Sequence, residues 1–227
     1  MNPTRSLCMI AGLAAVVVVG GASTPAAAAD SGWKLRASGL WVEPDFSWEE
    51  VSEYGERQSA TASGELGFGL GLEYRVSGRL GIEASVAWVA PEIVVSLEQP
   101  PIIDVSSGDG LESTTIGLAL NIHLTPNAVF DLYLAPTISY VFYGDLTFDL
   151  GMFCDPDMLC LFPFEVGDEV GWGGALGVDV PLGQGGWLLN GSVAYQSSDI
   201  EVTDPDGDSE SFGFDPITIA LGVAYRF

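Results

Sequence analysis

Over the last stretch of the chain, apolar residues fall on every second position: Ile217, Ile219, Leu221, Val223, Tyr225 and Phe227. Thr218, Ala220, Gly222, Ala224 and Arg226 stand between them. A period of two describes a strand with one apolar face and one small or polar face. The same alternation recurs upstream over 33–43, 64–76, 80–90, 114–124, 130–143, 171–182 and 187–197. The second of these is the cleanest, with Leu66, Phe68, Leu70, Leu72, Tyr74 and Val76 set against Glu65, Gly67, Gly69, Gly71, Glu73 and Arg75. Short turns (SGR, TPNA, GQGG) follow the second, fourth and sixth segments, and long acidic connections follow the others. An even number of strands of about ten residues, with long and short connections alternating, predicts an all-β fold: an eight-stranded antiparallel transmembrane up-and-down β-barrel. Aromatic residues near the segment ends (Trp33, Trp41, Tyr74, Trp88, Tyr140, Trp172, Trp187, Tyr195, Tyr225) suit the two membrane interfaces. Pro91 marks a strand end at the rim. Pro136, inside the fifth segment of a sheet with no free edge, predicts a bulge.

The first thirty residues change the picture at one end. A basic Arg5, an uncharged apolar run and an alanine-rich stretch to Ala29 read as a secretory signal peptide, so 1–29 is expected to be cleaved and 30–227 to form the barrel. Composition then narrows the partners. Seven Lys and Arg against 31 Asp and Glu give a formal charge of −24, which excludes nucleic acid, since phosphate binding needs a basic stripe. The acidity belongs to the long connections. Together these place the chain in the outer membrane of a Gram-negative envelope, in contact with lipid and lipopolysaccharide.

The polar faces carry the candidate chemistry. Lys34, Arg36, Arg75 and Arg226 point into the predicted lumen against Glu65, Glu73, Glu83, Asp131 and Asp179. An eight-stranded barrel is just wide enough for side chains to fill it, so these charges are expected either to pair as a plug or to form a gate below an apolar vestibule. Small inward residues such as Gly69, Gly71, Gly117 and Gly177 leave room for a path, and Trp48, Phe153, Leu161, Phe162 and Phe164 are candidates to roof it. Cys154 and Cys160, in an oxidising compartment, are expected to form a disulfide, with metal binding the lesser alternative. Asp204, Asp206 and Asp208 recur at every second position, but the glycine is misplaced for a calcium loop and no helices flank it; a solvated loop is the leading reading and weak calcium binding the other. No other metal and no cofactor is implied.

The order and spacing of several segments resemble the OmpW family of outer-membrane barrels. WKLRASGLWVEPD is similar to its opening strand, LGLEYRVSGRLGIEASVAWVAPEI to its second hairpin and IGLALNIHLTPNAVFDLYLAPTISYVFYGD to its third. GWGGALGVDVPLGQGGWLLNGSVAYQSSDIEV and FDPITIALGVAYRF are the nearest matches. The resemblance spans the mature chain and implies a porin-like channel or uptake path for small hydrophobic molecules. The Cys pair and the ionisable lumen depart from the family. The alternative is a non-conducting structural or adhesion barrel that presents acidic loops. His123 with Thr125 faintly echoes the His-x-Ser pair of lipid A deacylases, but His123 faces the lumen at the periplasmic end, so no enzymatic role is expected. The terminal Tyr225 and Phe227 resemble the C-terminal signal read by the barrel-assembly machinery. Deleting Phe227 is therefore expected to lower the amount of inserted, heat-modifiable barrel several-fold in outer-membrane fractions; undiminished insertion would refute the assignment.

Overall fold

The computed structural model describes residues 32–52, 57–99, 103–126, 128–149, 161–203 and 207–227. Eight long strands form the barrel: β1 (Gly32–Glu43), β2 (Glu65–Arg75), β3 (Leu80–Val89), β4 (Ser113–His123), β5 (Asp131–Tyr143), β6 (Glu169–Pro181), β7 (Trp187–Thr203) and β8 (Ile217–Arg226). Each runs antiparallel to the next, and β8 pairs with both β7 and β1, so the sheet closes on itself. The closing seam runs to the last residue. Trp33 N–H donates to the Phe227 carbonyl at 3.2 Å, and Phe227 N–H donates back to Trp33 at 3.0 Å. Closure is what hydrocarbon demands, because an open edge there would leave a row of backbone groups without partners. The outward row of every strand is apolar and exposed; its aromatic pairs Trp33–Tyr74 and Trp187–Tyr225 lie near one rim, and Phe68–Trp88 and Tyr140–Phe142 near the other.

Register fixes the width. From Gly32 the pairing passes through Arg75, Gly81 and Asn121, crosses to Ala135 in the continuing register, then runs through Ala175, Ala194 and Thr218 to reach β1 again at Val42. A stagger of about ten residues over eight strands, with strands about 4.8 Å apart, gives a backbone radius of about 8 Å. Side chains from opposite walls meet in such a tube. Whether it is open at a given height is therefore decided by residue size at that height.

Pro136 does not sit in a bulge. Its ladder to β6 is unbroken, with Gly174 as partner. On the β4 side the pairing stops after Ala119↔Thr137 and resumes at Ile122↔Leu134 in the same register. The missing N–H is thus absorbed as a local gap rather than by an extra residue. The proline ring faces outward, over a shallow groove shared with Ile82, Leu118, Leu120 and Ile138.

The long connections are more ordered than acidic loops would be. Ser47–Val51, Arg57–Ala62, Glu92–Gln99 and Ile103–Gly110 form a four-stranded sheet. Leu146–Asp149 pairs with Leu161–Val166, and both Leu161–Val166 and Ser209–Phe214 pair with the upper end of β7. Ile93, Leu111, Leu146, Phe148 and Val166 are buried between these sheets, with Phe46, Val95, Tyr143 and Phe164 against them. The barrel wall so continues beyond the membrane and encloses a second hydrophobic core.

Gly222 is required at the closing seam, where a Cβ would run into the Ala37 carbonyl of β1. Gly222→Val is expected to lower the unfolding free energy by about 2–3 kcal/mol in urea titrations of the refolded barrel; an unchanged midpoint would show that the seam can give way.

Candidate functional site: a charged plug beneath an apolar cavity

The periodicity that sends apolar side chains to lipid sends their neighbours inward, and in the periplasmic half these are long and charged. Glu73 on β2 is the hub. Its carboxylate meets Lys34 Nζ at 2.6 Å, His123 Nε2 at 3.0 Å, Arg75 Nε at 3.7 Å and Arg36 Nη2 at 3.8 Å, and it accepts from Asn121 Nδ2 at 2.8 Å. Lys34 also reaches Asp179 at 2.6 Å. Asp131 holds Arg75 Nη2 at 2.7 Å and His123 Nδ1 at 2.9 Å. Both oxygens of Glu83 lie 2.7 Å from Arg36 Nη1, and Asn121 donates to Glu83 at 2.7 Å. Asn190 donates to Asp179 at 2.8 Å and to the Tyr133 hydroxyl at 3.1 Å. Lys34 and Arg36 lie over the Tyr133 ring at 5.4 and 5.3 Å. Glu73, Asp179, Asn121, Asn190 and His123 are all at most 1% exposed. An isolated charge here would cost several kcal/mol, so the network stands only because every charge has a partner.

Seven of the nine sequence candidates meet in this network: Lys34, Arg36, Glu73, Arg75, Glu83, Asp131 and Asp179. The other two are corrections. Glu65 shares the inward face of β2, but lies eight residues above Glu73, about 26 Å along the strand; its carboxylate accepts from the Leu66 N–H at 2.9 Å. Arg226 sits at the periplasmic mouth at the end of β8 and forms no ion pair with the described residues. Asn121, His123, Tyr133 and Asn190 complete the plug without having been picked as site residues, although the same period of two puts them inside. The Thr125 hydroxyl donates to the Phe130 carbonyl at 3.0 Å and accepts from the Leu132 N–H at 2.8 Å, so it braces the β4–β5 turn and shares no hydrogen bond with His123. Tyr225 and Phe227 face lipid with rings 6.1 Å apart. Cys154, Cys160, Phe153, Asp204 and Asp206 lie outside the described residues, as do the side chains of Leu161 and Phe162; Asp208 and half-buried Trp48 are on the extracellular part.

Above the plug the inward residues become small, and a cavity of about 250 Å³ opens. Its floor is Arg36, Glu83, Asn121, Tyr133 and Asn190; its walls include Gly69, Gly71, Gly117, Ala119 and Ala175. Gly177 lets the floor form, because a Cβ there would collide with the Tyr133 ring. An apolar wall patch of Leu40, Val42 and Ala220, backed by Ala87 and Val89, leads upward. At the top, Tyr143 and Phe214 meet edge-on at 6.3 Å and Phe46 joins Phe214 and Phe212 at 6.4 and 6.0 Å. Leu118, Ala119, Thr137 and Ile138 border both this cavity and the outer groove at Pro136, beside the break in the ladder.

The family model for the outer membrane protein beta-barrel domain matches residues 13–227. Among solved structures, the crystal structure of OprG from Pseudomonas aeruginosa has a TM-score of 0.63 at 17% identity, covering 88% of this chain and 96% of that one. The outer membrane protein AlkL, solved by solid-state NMR in DMPC lipid bilayers, has a TM-score of 0.55 at 18% identity over 93% and 97%. No curated protein matches the sequence.

Removing Glu73 leaves Lys34 to Asp179 alone and makes Arg75 and His123 share Asp131, so Glu73→Ala is expected to lower the unfolding free energy by about 3–5 kcal/mol. Removing Glu73 and Arg75 together is expected to raise ion conductance in planar bilayers above that of the unaltered barrel. Unchanged conductance in the double variant would mean that the seal lies elsewhere.

Proposed function

The chain belongs to the outer membrane protein β-barrel domain family, and from that premise we propose that it is an OmpW-type barrel that takes up small hydrophobic molecules. The observation that carries this reading is the small-residue cavity that lies under an aromatic mouth and ends on an ion-paired floor. An apolar molecule gains by leaving water for such a chamber, roughly 25 cal/mol for each Å² of apolar surface it buries. It cannot continue downward without separating buried ion pairs, each of which would then cost several kcal/mol. The way out is sideways, through the gap beside Pro136 into the bilayer, where the pairing of β4 and β5 is already interrupted. In this reading residues 1–29 leave as a secretory signal, and Tyr225 and Phe227 are offered to the assembly machinery. Lipopolysaccharide surrounds the outer leaflet.

A non-conducting role in adhesion is the second reading, and the separate extracellular core favours it, since a rigid acidic platform needs no path beneath it. Uptake separates the two. Cells producing the barrel are expected to accumulate octane several-fold faster than cells without it, and Pro136→Val, which restores the missing N–H to the ladder, is expected to remove most of that gain. Equal accumulation with and without the protein would leave the adhesion reading. Full uptake by Pro136→Val would remove the lateral exit while sparing uptake itself.

A further inference from the structure

Above their last barrel pair, Glu43 with Ile217, the two strands that close the barrel part company. Ser47–Val51 carries β1 upward and pairs with Arg57–Ala62, while Ser209–Phe214 leads down into β8 and pairs with β7. Among the described residues no backbone hydrogen bond joins these two strands. At the foot of the opening the Phe46 ring lies 6.0 Å from Phe212 and 6.4 Å from Phe214. The phase of each ladder shows what the opening exposes. Ala62 N–H donates to the Phe46 carbonyl, and Gln196 N–H to the Pro216 carbonyl. Successive residues of a strand turn their backbone groups to opposite sides. Ser47, Glu49 and Val51 therefore present bare N–H and C=O groups from one edge, and Ser209, Ser211 and Gly213 from the other. All six residues are exposed, and a Cβ at Gly213 would meet nothing within 4 Å. The other break in this wall, between Ile103–Gly110 and Leu146–Asp149, is stitched: the Asp109 carboxylate accepts from the Thr147 N–H at 2.8 Å.

We propose that this opening is a docking slot for an extended segment of a partner polypeptide in which basic and apolar residues alternate. Bare strand edges are templates for a further strand, and main-chain bonds supply the affinity of that mode of recognition. A strand laid between two antiparallel edges runs antiparallel to one and parallel to the other, as in other mixed sheets. Its period of two puts alternate side chains on the inner face, against half-buried Phe46, Trp48 and Phe212. The others face outward, where exposed Glu49 stands on one edge and exposed Glu201 lies opposite Ser211 beside the other. Glu50 and Glu210 add to the negative field. Arg57 is the one cation among the described extracellular residues, and Glu49 holds it at 3.2 Å. That charge repels lipopolysaccharide phosphates. It also disfavours a second copy of this chain, because Lys34, Arg36, Arg75, Arg79 and Arg226 lie in the plug or at the periplasmic end. The slot lies above the membrane-spanning wall and goes beyond the uptake reading.

The test uses the full-length barrel in lipid nanodiscs, titrated with an octapeptide of alternating Lys and Val and, separately, with one of alternating Glu and Val. Affinity and amide hydrogen exchange are read by NMR. The Lys–Val peptide is expected to slow exchange about tenfold at Ser47, Glu49, Val51, Ser209, Ser211 and Gly213 as it saturates. The Glu–Val peptide, equal in strand propensity but opposite in charge, is expected to bind at least about tenfold more weakly. Ser211→Pro removes one edge N–H and is expected to weaken the Lys–Val peptide about tenfold, whereas Ser211→Ala changes only the side chain and leaves binding as it was. No binding of the Lys–Val peptide, equal affinity for the two peptides, or full binding by Ser211→Pro would each overturn the slot. Salt-sensitive binding with none of the six amides protected would be attraction to the acidic surface alone, and would overturn it too. None of these outcomes bears on octane uptake, so the two readings fail separately.

Discussion

In hydrocarbon a backbone N–H without a partner has no water to turn to, and each one left bare costs several kcal/mol. That single constraint closes the sheet and draws Phe227 and Trp33 into the last pair of hydrogen bonds, and the register of the eight closed strands carries the stagger. The stagger in turn sets a tube of about 8 Å radius at the backbone, and from there the lumen is a matter of side-chain volume. Where β1, β2 and β6 offer Lys34, Glu73 and Asp179, the tube is filled; where they and β4 offer Ser38, Gly69, Gly117 and Ala175, it is hollow. Plug and cavity are two consequences of one radius.

The same constraint explains why Pro136 matters. In a soluble sheet a missing ladder bond is repaired by water, but here it leaves a place where two strands are held together less firmly than anywhere else along their length. The gap lies level with the top of the ion-paired floor, at Asn121 and Ala135, where a guest resting on Tyr133 and Asn121 would meet the wall. An axial seal beside a lateral weakness is what the proposed uptake route uses: entry from the aromatic mouth above and exit to lipid at the side.

The inside and outside of each strand were legible because lipid and lumen impose opposite demands at a period of two, and Leu66 to Val76 could be read off directly. Height along the barrel was not, since alternation carries no information about which inward residues share a level; that is why Glu65 and Arg226 were grouped with charges they do not meet. Partner choice was hidden for the same reason: Asn121, His123 and Asn190 come from strands whose register the sequence does not state. The bulge expected at Pro136 was a sound inference from the missing donor, but a gap in unchanged register satisfies the same chemistry without displacing the outward row. The extracellular core is not legible in the sequence because Ile93 and Leu111 belong to one connection and Phe148 and Val166 to another, and only the extended barrel wall brings them together.

A guest that enters the upper cavity and leaves sideways above a sealed floor touches one set of lumen residues and not another. The most direct measurement is solid-state NMR of the labelled barrel in lipid bilayers with ¹³C-octane, reading which residues give cross-peaks to the solute. Contacts to Ala119, Thr137 and Pro136 are expected, and none to Asp179 or Arg226. Cross-peaks to Asp179 and Arg226 would place the solute below the plug and contradict that route.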